Sequence, residues 1–223
     1  MKTQKLIAAV VVAAGAAVAN ADVLATWGFT DLHSSYNSNT GMVSAVAGSN
    51  SLIKTGGDVT RLIGPSSTAS YDTDFKAAAN PGMLDFQMNV SVFGKFNNLA
   101  FGLGNVVITD FNGDTLTADI SGVWLGGFGG PDAINFNGGL TNVMFNNTSG
   151  DGTFDGSQGS FSMNFGGQPL IGATVAVTIA SGAGFFDSDF REVSMQSSGE
   201  IIPTPGALAL LGLGGLTVSR RRR

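Results

Sequence analysis

Nine consecutive residues, Leu84-Asp85-Phe86-Gln87-Met88-Asn89-Val90-Ser91-Val92, alternate without a break between apolar and polar side chains. Successive side chains of a strand point to opposite faces. This period of two therefore puts five apolar residues on one side and four polar ones on the other, the pattern of a half-buried β-strand. The same alternation returns at Leu116, Ala118 and Ile120 against Thr115, Thr117, Asp119 and Ser121. It returns again at Phe161, Met163 and Phe165, at Val175, Val177 and Ile179, and at Val193 and Met195.

Turn residues punctuate these runs. Asn112-Gly113 stands between Val106–Thr109 and Thr115–Ile120, and predicts a hairpin with a type I′ turn, whose two central residues need positive φ. Gly56-Gly57, Asn80-Pro81-Gly82, Gly129-Gly130-Pro131, Gly138-Gly139, Gly150-Asp151-Gly152 and Gly166-Gly167 predict further turns. A single short helix fits residues 73–79. Many short strands, close turns and no long amphipathic helix predict an all-β domain, an antiparallel sandwich or jelly-roll-like fold, over residues 22–200. No period of the length used by propellers or solenoids stands out.

The chain holds 33 glycines and only 12% charged residues, yet its sixteen phenylalanines and many β-branched residues supply a core. All sixteen acids fall between Asp22 and Glu200. Only Lys54, Arg61, Lys76, Lys95 and Arg191 accompany them, which leaves that segment at −11. Such a domain repels phosphate backbones, so nucleic acid is not an expected partner. With no cysteine, disulfides, thiolate metal sites and cysteine nucleophiles are excluded.

The first 21 residues read as a signal peptide. Lys2 and Lys5 are followed by the apolar run Leu6–Val18, and Ala19-Asn20-Ala21 offers a signal peptidase small residues at its two critical positions. Asp22 becomes the new N-terminus. No twin-arginine pair is present, so the general secretory route is expected.

Residues 201–223 read as three devices in series. Thr204 is placed to cap a helix beginning at Pro205, which is followed by Gly206. Ala207–Val218 is apolar apart from Thr217, and Ile201–Val218 reaches the lower edge of a membrane-spanning length as a transmembrane helix. Arg220, Arg221, Arg222 and Arg223 then stay on the cytoplasmic side. This arrangement resembles the PEP-CTERM sorting signal, including the Gly-Ala-Leu-Ala-Leu-Leu-Gly-Leu-Gly-Gly-Leu core and the arginine terminus. The chain has Thr204 where the eponymous motif has glutamate, so it looks like the Pro-Thr-Pro variant. The same tail carries the label of an ice-binding protein C-terminal domain. The resemblance implies sorting by an exosortase-like membrane peptidase acting near Pro203, Thr204 and Pro205. It also implies a place at the cell surface, in association with exopolysaccharide.

The middle carries little recognisable chemistry. His33 is the sole histidine and reads as a loop or strand-edge residue, with no nucleophile elbow around it. Asp110, Asn112 and Asp114 repeat the opening i, i+2, i+4 spacing of a calcium loop, but Ser121 stands where its closing glutamate belongs. Asp72/Asp74, Asp151/Asp155 and Asp187/Asp189 are further acidic pairs. Trp27 and Trp124 are candidate sugar platforms, Trp124 on a strand pattern that also suits a core. Asn89, Asn146 and Asn147 open glycosylation sequons. The expectation is a non-enzymatic exported surface or matrix protein. A glycan- or ice-binding module and a secreted glycoside hydrolase are the alternatives.

Overall fold

The computed structural model describes residues 22–49, 52–71, 85–127, 132–167, 169–180 and 182–204, with only the backbone of 173–176. The helix expected over 73–79 lies outside these residues, as do the signal peptide and the tail beyond Thr204. Among the described residues there is no helix, and every paired strand is antiparallel, as the alternation and turns predict.

The described residues form thirteen strands: β1 (Ala25–Asn37), β2 (Met42–Val46), β3 (Gly56–Arg61), β4 (Ser67–Tyr71), β5 (Phe86–Ser91), β6 (Phe93–Phe96), β7 (Leu99–Thr109), β8 (Thr115–Gly126), β9 (Ala133–Asn146), β10 (Thr153–Asp155), β11 (Ser160–Ser162), β12 (Leu170–Ala180) and β13 (Phe190–Pro203). The order β1-β2-β5-β7-β8-β9-β12-β13 closes on itself, because β13 also pairs with β1 from Ala25↔Ile201 to Tyr36↔Phe190. Strands next to each other in this ring follow one another in the chain once the inserted β3–β4 and β10–β11 hairpins and β6 are set aside. That is the order of a meander, and closure leaves these eight strands without a continuous open edge.

A bulge in β1 makes the ring and its branch compatible. Phe29 pairs with Ser197 and Leu32 with Met195, three residues of β1 against two of β13, and Asp31 takes φ 55°. The extra residue changes parity, so Ala25, Trp27 and Phe29 point inward before it and Leu32, Ser34 and Tyr36 after it. It also divides the strand's other edge: β3 pairs with 25–30 and β2 with 33–37.

Large aromatic rings fill the interior. Phe29 meets Phe86 at 4.9 Å between centroids, and Trp124 meets Phe136 at 4.6 Å and Phe186 edge-on at 5.2 Å. Glycines face these rings. Gly138 and Gly57, expected in turns, lie inside β9 and β3. A Cβ would come within 2.6 Å of the Phe136 ring at Gly138 and within 2.4 Å of the Phe29 ring at Gly57. Arg61, buried at the end of β3, donates to the carbonyls of Ile63 and Ser162 and stands over the Phe165 ring at 4.7 Å. It thereby ties the β10–β11 hairpin to the barrel.

Candidate functional site: the exit rim

Antiparallel pairing gathers the start of β1, the end of β13, the start of β12, the end of β9 and the β7–β8 turn at one end of the barrel. The first and last described residues, Asp22 and Thr204, both lie here. Leu24 donates its N–H to the Ile201 carbonyl at 2.8 Å, and Thr204 donates its own to Pro169 at 2.8 Å. Ile201, Ile202 and Pro203 continue β13, and both isoleucines are buried. Three residues that the sequence groups with the tail are therefore sheet in this structure, which leaves Ala207–Val218 as the apolar part beyond it. Of the cleavage and sorting residues, Asp22, Pro203 and Thr204 are described. Ala19, Ala21, Pro205, Gly206 and Arg220 to Arg223 lie outside the described residues.

The same rim carries a carboxylate cluster. The hairpin expected at Asn112-Gly113 is present, but only Gly113 has positive φ, so the turn is not type I′. Its shape follows from Asp110, whose Oδ1 accepts the N–H groups of Asn112 at 2.8 Å and Asp114 at 2.7 Å. Asp110 Oδ2 accepts the Asp155 N–H at 2.8 Å, which joins this turn to the β10–β11 hairpin. Asp114 accepts from the Ser149 amide and hydroxyl, at 2.7 and 2.9 Å. Asn112 turns its amide nitrogen toward Asp155, at 3.0 Å, while the Thr153 hydroxyl bridges Asp151 and Asp155. Burial pushes the Asp110 carboxyl up from its ordinary value, against the pull of its three backbone donors. Exposed Asp151 is held below the ordinary carboxylate range by the Thr153 amide and hydroxyl.

In this structure the donor atoms of the expected calcium loop are engaged by the protein's own groups. The oxygens of Asp110 and Asp114 face amides and a hydroxyl of their own chain, and Asn112 presents nitrogen where a cation needs oxygen. Among the described residues, no three His, Cys, Asp or Glu side chains are grouped to hold a metal ion.

Beneath the cluster, Asp85 is almost fully buried, its Oδ2 has no hydrogen-bond partner, and burial pushes its carboxyl up to about 7. The hydroxyl of buried Tyr71 is also unpartnered. Burial first, then the carboxylates of Asp110, Asp85 and Asp155, push that phenol well above its usual range. The alternation of Leu84–Val92 puts Asp85 on the polar face, whereas the structure buries it just before β5, and nothing in the sequence signals the burial of the Tyr71 hydroxyl.

An open groove of about 740 Å³ crosses the outer face from β7 to β12 and ends at Thr204. Asn105, Asp119, Thr141 and Asn142 give it hydrogen-bonding groups, and Val107 and Leu170 give it apolar ones. Asn142, at φ 52°, donates to Asp119 at 2.6 Å.

The remaining candidates have structural surroundings. His33 lies on β1, with Nδ1 at 2.7 Å from Glu192 and Nε2 at 3.2 Å from the Ile53 carbonyl. The neighbouring hydroxyls of Ser34 and Ser194 are engaged elsewhere, with Val193 and Asp31. Trp27 and Trp124 are both buried, which removes them as sugar platforms; Trp124 donates to the Ser91 carbonyl at 3.1 Å. Asn89 accepts from Ser44, and Asn147 from the amides of Gly150 and Gly152. The acidic pair Asp72/Asp74 lies outside the described residues, while Asp187 pairs with Lys95 and Asp189 with Ser38.

Compared with known proteins, the chain matches no family model, no curated protein and no solved structure.

Proposed function

We propose that this chain is a non-enzymatic exported protein of the cell surface or extracellular matrix, a sandwich-like barrel sorted by its PEP-CTERM-like tail. The observation that carries this reading is the position of the two exits. Asp22 and Thr204 lie at the same rim, and β13 is paired on both edges up to Ile201 and on its β12 edge up to Pro203. A domain so arranged follows a signal peptide out of the cell. It then hangs by its last strand from the apolar segment Ala207–Val218, with Arg220–Arg223 inside.

Signal peptidase and an exosortase-like membrane peptidase are the processing partners in this reading. The short join between Thr204 and Pro205 holds the exit rim close to the bilayer while the tail is intact. The outer groove favours a second reading, a glycan-binding module, since Asn, Asp and Thr over apolar side chains suit sugar hydroxyls and ring faces. Cell fractionation tests the leading one. The full chain is expected in the envelope and accessible to external protease, and replacing Arg220–Arg223 with glutamine is expected to trap it unsorted. Cytoplasmic protein in both cases overturns the reading.

A further inference from the structure

At the end of β7 away from the exit, the side-chain order is the reverse of a normal outer strand. Leu99, Phe101 and Leu103 point out to solvent, while Ala100 is buried and Gly102 faces the core. β6 beside them is exposed along its whole length, and Phe96 is 74% accessible. The Phe93 and Phe101 rings meet at 6.0 Å, and Phe96 pairs with Leu99. On the next strand Val123 and Leu125 stand opposite Phe101 and Leu99 and are half-buried. Together these side chains make one apolar surface of roughly 500 Å², at the upper end of what a monomer ordinarily exposes.

We infer that this face is an isologous interface, on which a second copy of the same chain seats its own β6–β7 face about a two-fold axis. Three observations select that occupant. First, β6 pairs only with β7, so among the described residues its other edge is open to a strand. Second, the charge is right for self-association. Two copies of a domain at −11 repel each other wherever carboxylates face, but Phe86–Thr109 contains no acidic residue. Its one charge, Lys95, is neutralised by Asp187 at 2.5 Å, so it does not oppose its own counterpart. Third, two such faces, if fully covered, bury roughly 1,000 Å² together, the size of a weak, concentration-dependent contact between copies. The face lies at the far end of β7, roughly 30 Å from the exit rim at the rise of a strand.

The full chain is cysteine-free, which makes the test direct. Phe93→Cys and Phe96→Cys variants, purified and treated with a short bismaleimide, are expected to give a covalent dimer. Thr141→Cys, on the outer groove, is expected to give none. Adding Phe101→Asp to either cross-linking variant is expected to reduce the dimer at least tenfold. Sedimentation velocity of the purified unmodified protein should show a concentration-dependent dimer in the micromolar range. A wild-type monomer throughout that range overturns the inference. So does a dimer that survives Phe101→Asp, because its contact is elsewhere, and so does a monomer that binds neutral phosphatidylcholine vesicles through this face. Tail processing has no part in these readouts, so their failure is separable from failure of the sorting reading.

Discussion

Gly102 lies directly against the indole of Trp124: a Cβ built at Gly102 would stand 2.7 Å from Trp124 Nε1 and 2.8 Å from the Phe136 ring. The inward side of β7 is small because the inward side of its neighbours is large. Gly102→Ala should therefore lower stability by about 1–3 kcal/mol, as overpacking of a filled core does. Urea unfolding checks it: the midpoint falls, and an unchanged midpoint would contradict the account.

Asp110 is predicted to be a structural carboxylate. Asp110→Asn keeps one carbonyl oxygen but turns an NH₂ group toward a backbone N–H, so at least one of the amides of Asn112, Asp114 and Asp155 loses its acceptor. The expected cost is ~1–3 kcal/mol. Adding calcium should not restore it. Full recovery of the melting temperature by calcium would contradict the assignment.

Asp85 makes stability fall as pH rises. Its carboxyl is raised to about 7 in the folded chain by burial, against an ordinary 3.8 once unfolded. Between those values the folded state holds a proton that the unfolded state releases, so the stabilisation is complete below about pH 4 and is lost as pH rises through 7. The loss amounts to roughly a few kcal/mol, because each pH unit separating the folded and unfolded pKa is worth about 1.4 kcal/mol. Asp85→Asn should be close to wild type at pH 4 and clearly more stable at pH 7.5. Parallel urea midpoints across that range would contradict the account.

Tyr71→Phe is predicted to leave stability unchanged or raise it by up to ~1 kcal/mol. The variant removes a buried hydroxyl that has no partner and lies near three carboxylates. A loss above about 1 kcal/mol in thermal unfolding would show that the hydroxyl is satisfied.

Much of the barrel was legible where alternation is clean. The run from Leu84 to Val92 contains β5, with Phe86, Met88 and Val90 buried, and Leu116, Ala118 and Ile120 line the inside of β8. Alternation fails as a guide where the core is crowded. From Leu99 to Leu103 in β7 the large apolar side chains are the outward ones, so hydrophobicity alone assigns that part's faces backwards. Gly57 and Gly138 look like turns in sequence, and are places where a strand passes a phenylalanine ring. In β1 the bulge at Asp31 breaks the period midway, and no residue type announces it. The exit rim was partly legible: Asp110, Asn112 and Asp114 stood out by spacing, but their partners Ser149 and Asp155 are brought by the fold. The isoleucines before Pro203 read equally as strand or as membrane segment, and only their pairing with β1 and β12 distinguishes the two.

The boundary at Thr204 and its processing are the centre of the account, and intact mass of the protein from its native envelope tests both. The predicted mass begins at Asp22 and ends at or just beyond Thr204, and the variant with Arg220–Arg223 replaced by glutamine keeps its tail. A mass that runs to Arg223 in both would contradict sorting and leave a barrel permanently anchored by its C-terminus; one that ends before Ile201 would contradict the barrel boundary itself.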